Sequence, residues 1–284
     1  MTFSFAESLT VDQLCTLFNA AFSDYIQPFA LSPEVMALKL RRDGTYLALS
    51  PLALDQGKPV GFIFQNIGDW HGKKTAYNSG TGVLTEARGQ GLTPKMYAFS
   101  LPVLKENGVE QCLLEVIQEN KRALRIYQEL GFTITRTFHV FRHSKADLQW
   151  HSHSPGNVSF RQVTAPNWSL YQTFWDVEPS WHQNPAAVDQ TLADVQIVEA
   201  WLQEQCVGYG IIYPMTGAVS QLAVAPAWRR KGIGQGLLQQ MVSLTSSPLI
   251  AVVNVDAQAE QMVQFLKARQ MPELLGQYEM LMKL

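Results

Sequence analysis

The stretch "LEVIQENKRALRIYQELGF" holds residue types suited to acid–base work. Glu115 lies in an apolar run that reads as a strand. An ionised carboxylate is costly to bury there, so its proton affinity should rise toward that of a useful base. Asn120, Ala123, Leu124 and Tyr127 fall at i, i+3, i+4 and i+7, so Asn120 and Tyr127 share one face of the helix that follows. Tyr127 is a phenol able to give up a proton. The plainer alternatives are a Tyr127 packed in the core with its hydroxyl at the surface, and a Glu115 paired with a lysine or arginine.

Two glycine-rich turns point to a second kind of chemistry. "EARGQGLTPK" and "RRKGIGQGLL" each follow an apolar strand and open a helix. Such a turn exposes unpaired backbone N–H groups at the positive helix end, and glycine lets a phosphate approach without a Cβ in the way. Gly232-Ile233-Gly234 with Asp256 also resembles a dinucleotide fingerprint. Gly236 comes one position early for it, however, and Arg229, Arg230 and Lys231 stand where such a motif would finish its strand.

The elements that must position these residues are written twice. "TVDQLCTLFNAAF" has helical spacing, "YLALSPLAL" and "VGFIFQNI" flank a turn signal, and "CLLEVI", "NKRALRIYQEL" and "FTITRTFHVF" read as strand, helix and strand. The second half repeats the order from "VSFRQV" to "QYEMLMK". Arg88 to Arg229 and Gly91 to Gly232 are both 141 residues apart, and the later strand–helix pair aligns at an offset of 139. Duplication is the simplest account. The chain of 284 residues therefore reads as two α/β domains with a mixed sheet, residues 1–145 and 157–284, around a polar linker at 146–156. His151 and His153 in that linker are too few for a metal site, and no metal is expected.

Hydrophobic residues make up 46% of the chain and charged residues 16%, with a net charge of −2, so each half has a core to bury and no basic stripe invites nucleic acid. Cys15, Cys112 and Cys206 have no paired spacing and read as reduced, buried thiols. "MTFSFAESLT" lacks a basic and an apolar region, and no stretch reaches the roughly 18 apolar residues of a membrane span. A soluble cytoplasmic protein without membrane or nucleic-acid partners is expected.

"GVLTEARGQGLT" and "AVAPAWRRKGIG", each followed by a strand and a helix, resemble the acetyl-CoA loop of the GNAT superfamily of N-acyltransferases. That pattern is Arg or Gln, two residues, Gly, one residue, then Gly or Ala. Arg229, Gly232 and Gly234 match fully; Arg88 and Gly91 match, but Thr93 takes the last position. The resemblance spans nearly the whole chain and implies two tandem GNAT-like domains using acetyl-CoA. It implies coenzyme contacts at Arg88, Gly89, Gln90, Gly91, Leu92 and Thr93, and backbone N–H groups near Val83 and Leu84 facing the thioester carbonyl. The matching family asparagine, at Asn120, bonds the pantetheine arm, and the matching tyrosine, at Tyr127, protonates the coenzyme sulfur. The stretch is similar to the ribosomal-protein alanine N-acetyltransferases, whose base and acid lie at the positions of Glu115 and Tyr127.

At the offset of 139, Glu115, Asn120 and Tyr127 become Asn254, Ala259 and Leu266, so base, pantetheine ligand and acid are lost together. The chemistry is expected in the N-terminal half: attack of a small-molecule or peptide amine on acetyl-CoA. Asn78 and Thr81 are alternative holders of a relay water, and Ser23 to Phe29 are expected to line the acceptor site. Trp168, Trp175 and Trp181 are expected to pack rather than to cage a ligand. The rival readings are a non-catalytic acetyl-CoA sensor and activity in the C-terminal half.

Overall fold

The computed structural model describes residues 1–24, 30–150 and 156–284. Its elements, in chain order, are β1 (Thr2–Phe5), α1 (Val11–Ala21), α2 (Pro33–Asp43), β2 (Pro51–Asp55), β3 (Lys58–Trp70), β4 (Lys73–Val83), α3 (Leu92–Glu106), β5 (Gln111–Ile117), α4 (Lys121–Glu129) and β6 (Thr133–Ser144). They continue as β7 (Val158–Val163), α5 (Trp168–Tyr171), α6 (Pro185–Asp189), β8 (Gln196–Leu202), β9 (Gln205–Tyr213), β10 (Ala218–Val224), α7 (Ile233–Leu244), β11 (Leu249–Asp256), α8 (Glu260–Lys267) and β12 (Glu273–Lys283).

Two compact units divide the chain, and they are not its sequential halves. The first comprises Met1–Arg136 together with Gln277–Leu284; the second comprises Thr137–Gly276. The expected segments 1–145 and 157–284 thus give way to an exchange of final strands. In the first unit the strand order is β1-β2-β3-β4-β5-β12, and in the second it is β6-β11-β10-β9-β8-β7. Gln277–Lys283 runs antiparallel to β5, and Phe138–Ser144 runs antiparallel to β11. Part of the expected linker is core: Leu148 is buried among the second unit's apolar residues, and Trp150 packs against them. His151 and His153 lie outside the described residues.

Local signals account for the helices. Thr10 and Gln13 form a reciprocal cap at the start of α1, and Ser32 followed by Pro33 starts α2, which Gly44 stops in a left-handed conformation. Asn120 caps α4 by accepting the Ala123 N–H at 3.1 Å. On β5, Cys112, Leu114 and Val116 join a core with α3 and Tyr127, so the alternating residues Leu113, Glu115 and Ile117 face the other side of the sheet. That side is packed by α1, against Phe62 and Phe64 of β3. All three cysteines are free and buried. Among the described residues, no helix is long and apolar enough to cross a membrane.

Candidate active site

In the first unit β4 and β5 pair in parallel only from Thr75↔Gln111 to Asn78↔Leu114. One extra residue on β4, at Ser79, shifts its register with β3 at that point. Beyond it the two strands part. Leu84 N–H donates to Val60 O at 2.9 Å, so by ladder alternation the N–H groups of Thr81 and Val83 point away from β3, toward the opening. Leu84 is therefore removed as an expected carbonyl donor, because its N–H is already bonded; Val83 keeps the geometry, and Thr81 joins it.

Glu115 and Tyr127 flank the opening from opposite faces of the sheet. Glu115 is half-buried, and its Oε2 accepts the Tyr77 hydroxyl from β4. Burial is the main cause that pushes its carboxyl up to about 7. Tyr77 opposes the rise, and the Glu279 carboxylate, directly across on β12, adds to it. Arg136 (β6) and Asp43 (α2) act on it more weakly, in opposite directions. Burial and the Glu115 charge hold the Tyr77 phenol well above its ordinary range, so Tyr77 serves as donor. Lys39 borders this face, with Nζ 2.5 Å from Asp43 Oδ2 and 2.8 Å from Ser79 O.

Tyr127 is 7% exposed and meets Tyr97 and Phe132 edge-on, with centroids 6.4 and 5.8 Å apart. Asn78 Nδ2 donates to Thr81 Oγ1 and to Tyr97 Oη, both at 2.8 Å, so the two residues considered for a relay water bond to each other. Asn120 stands just before α4 as its cap, not within it.

The loop from Gly89 to Gly91 is exposed, and Gly91 caps α3 with φ +65°. A Cβ built on Gly91 would meet nothing within 4 Å, leaving room for a ligand. Arg88 is held elsewhere: Nε donates to Val83 O at 3.0 Å, and its other nitrogens bond Asp24 and Ala21 O. Arg229 repeats this arrangement with Val224 O, Asp176 and Phe174 O. Both arginines tie the strand end to the helical segment that packs on the opposite face. Each loop also ends at a helix N-terminus, whose first backbone N–H groups have no intrahelical acceptor. Of the expected acceptor lining, Ser23 and Asp24 are described, and Tyr25 to Phe29 lie outside the described residues.

The second unit opens in the same way. β10 and β11 pair only at Ala218↔Ala251 and Val219↔Val252, and Ser220 is the extra residue. A cavity of about 690 Å³ fills the opening, lined by Trp175, Gln183, Tyr209 and Gln221 on one side and by Gly232, Gly234, Met262, Phe265 and Arg269 on the other. The turn at Ser180–Gln183 spans its mouth. Gln183 O accepts the Gln221 side chain from β10, Gln183 Nε2 donates to Val253 O of β11 at 2.6 Å, and Asn254 Nδ2 donates to Ser180 Oγ at 3.0 Å. Asn254, the counterpart of Glu115, has φ +52° on a second register shift. Leu266, the counterpart of Tyr127, is fully buried core. Trp181 is buried as expected, whereas Trp175 faces the cavity.

The model of the acetyltransferase (GNAT) family matches residues 11–132 and again 161–266. The chain belongs to the GNAT family. Among solved structures, a tandem GNAT protein from the clavulanic acid biosynthesis pathway superposes with a TM-score of 0.76 at 13% identity, covering 99% of this chain and 98% of that one. A GCN5-related N-acetyltransferase from Sphaerobacter thermophilus gives 0.73 at 15% identity, over 99% and 95%. These likenesses show the shared fold. Among curated relatives, the N-alpha-acetyltransferase MAK3 of Arabidopsis thaliana is 32% identical over 91 residues, which is 32% of this chain and 48% of that protein. The mycothiol acetyltransferase of Arthrobacter sp. is 27% identical over 122 residues, 40% of this chain and 36% of that protein. The chain thus spans about half of the first relative and about a third of the second.

Within this GNAT chain, sequence spacing singled out Glu115 and Tyr127, which the fold sets on opposite faces of the first unit's sheet, and both glycine loops. It missed Tyr77, which reaches Glu115 only through the parallel register that sets Tyr77 opposite Leu113. It also missed Asp176, and it gave Asp24 only to the acceptor lining; the pairing of both with the loop arginines needs the tertiary fold.

Proposed function

We propose that the protein transfers an acetyl group from acetyl-CoA to a primary amine by direct attack, with the chemistry in the first unit. The observation that carries this reading is the pair Glu115 and Tyr127, one on each face of the sheet, beside strands that have parted. A lysine-like amine, of pKa about 10.4, is mostly protonated at neutral pH and needs a base. Glu115, ionised above about pH 7, takes that proton on the α1 face. Acetyl-CoA supplies the activated acyl group. As the carbon–nitrogen bond forms and the carbon–sulfur bond breaks, Tyr127 gives its proton to the departing sulfur on the α3 face, and the second proton shed by the acylated nitrogen restores the phenol through solvent. The N–H groups of Thr81 and Val83 suit the negative charge that develops on the carbonyl oxygen. Backbone groups around Gly91, at the positive end of α3, suit the phosphates.

Release of free thiol, followed with a panel of amines that includes a peptide with a free α-amine and small amines, tests the reading. Turnover with at least one amine is expected, and turnover with any of them excludes a non-catalytic acetyl-CoA sensor. No thiol release with any amine would overturn the proposal. A second coenzyme site at Arg229–Gly234 is a further reading, favoured by the cavity of about 690 Å³ beside that loop. In that reading the second unit holds ligand without turning it over.

A further inference from the structure

Arg269 lies just beyond α8 and is 8% exposed, on the wall of the second unit's cavity. Its guanidinium donates to Phe265 O and to Gln235 Oε1, each at 3.2 Å, and lies 4.0 Å from the Phe265 ring centroid. Its Nε–H has no acceptor. Among the described residues no carboxylate pairs with it, whereas Arg136 has Glu279, Lys39 has Asp43 and Arg229 has Asp176. Burial pulls its proton affinity down with no acid to offset it. A buried cation without a counter-charge is costly to fold, and an anionic ligand removes the cost.

A second positive feature converges on the same space. Helix α7 begins at Gly232 with no side-chain cap and no acidic residue in its first turn, and Gly232 and Gly234 line the cavity. Gln235, in that first turn, is the residue that holds Arg269. We infer that Arg269 and Gln235 form an anion subsite that takes a phosphate group of a ligand in the second unit's cavity. Arg269 fills the role that Arg229, tied to Asp176, does not. The inference rests on the reading of Arg229–Gly234 as a phosphate loop and adds the side-chain cation. The first unit has no counterpart: at the offsets of the duplication, Arg269 and Gln235 correspond to Leu130 and Pro94.

The test titrates the full chain and its variants with inorganic pyrophosphate and, separately, with coenzyme A, and records melting temperature without ligand. Arg269→Met is expected to weaken binding of both probes at the second unit by tenfold or more and to raise the ligand-free melting temperature, since it removes a buried charge. Weakening for coenzyme A alone would identify an organic ligand's phosphate as the partner; weakening for both supports any diphosphate. Unchanged binding with a lowered melting temperature would make Arg269 a strut between α7 and α8 and overturn the inference. If Gly232→Val abolishes that binding while Arg269→Met spares it, the loop reading survives and the subsite does not. Should Arg269→Met fail to fold, Arg269→Gln, which keeps a donor for Phe265 O, gives the same comparison.

Discussion

The two units share one frame down to single hydrogen bonds. Leu84 N–H to Val60 O matches Ala225 N–H to Val207 O, both 2.9 Å, and Arg88 Nε to Val83 O matches Arg229 Nε to Val224 O at 3.0 and 2.9 Å. They part company around the opening. The first unit has a half-buried carboxylate on one face and a tyrosine on the other. The second has an asparagine bonded to Ser180, a leucine in the core and a turn fastened across the mouth. Even its fuller glycine pattern carries strain, because Arg230 takes φ +64° where Gly89 takes +81°. A duplicated frame keeps its shape through backbone bonds, while Asn254, Ala259 and Leu266 stand where the first unit has Glu115, Asn120 and Tyr127.

The largest expected effect sets the two loops against each other. Gly91→Val should bring turnover to background, since a branched Cβ enters the open space beside the phosphate cradle at a left-handed position. Gly232→Val should spare most turnover while removing a second bound coenzyme. Calorimetry counts the sites and thiol release reports the chemistry. The reverse pattern would move the active site to the second unit.

Tyr127→Phe comes next, with the maximal rate lowered roughly 10²–10⁴-fold and coenzyme affinity nearly unchanged. The protein should stay folded, because only a hydroxyl is lost from an otherwise apolar contact. Wild-type turnover would reduce Tyr127 to packing, as Leu266 is.

Glu115→Gln should remove the acidic limb of the kcat/KM profile, expected near pH 7 if this carboxyl, raised to about 7, is the base. The sign for stability follows from the same shift. The folded state binds this proton more tightly than the unfolded chain does, so the group costs stability as pH rises from the usual carboxylate range to about 7. Thermal melts of Glu115→Gln should lose that slope. An unchanged rate profile would pass the base role to another group.

The smallest effect concerns Tyr77, whose hydrogen bond lowers the Glu115 pKa. Tyr77→Phe should move the acidic limb upward by about one unit, the size of one bond to a charged group. A drop in rate with an unmoved limb would mean that the phenol only packs.

Much of this was legible in the sequence because it is local. Helical spacing gives the apolar stripe of α4 that carries Tyr127, though Asn120 proves to be the cap before it. Glycine loops announce themselves, and a fixed offset exposes Asn254, Ala259 and Leu266. What escaped depends on register and partner choice. Periodicity shows that "FTITRTFHVF" and "QYEMLMK" are strands, but not that each completes the other unit. Arg88 and Arg229 match a ligand motif in one dimension and bond carbonyls and aspartates in three. Arg269 stands in no motif at all; only its burial without an acid marks it.

The exchange of final strands also sets an order of assembly. Protein synthesis runs from the N-terminus, so β5 waits with a bare edge while the whole second unit is made. Glu279, which faces Glu115 and neutralises Arg136, arrives with the last strand. Burial remains the main cause of the raised proton affinity of Glu115, and the further push from Glu279 comes only once that strand has docked. A nascent or truncated chain would carry Glu115 and the Gly89–Gly91 loop before Gln277–Lys283 covers β5, so the surroundings of that carboxylate are the last part of the first unit to form.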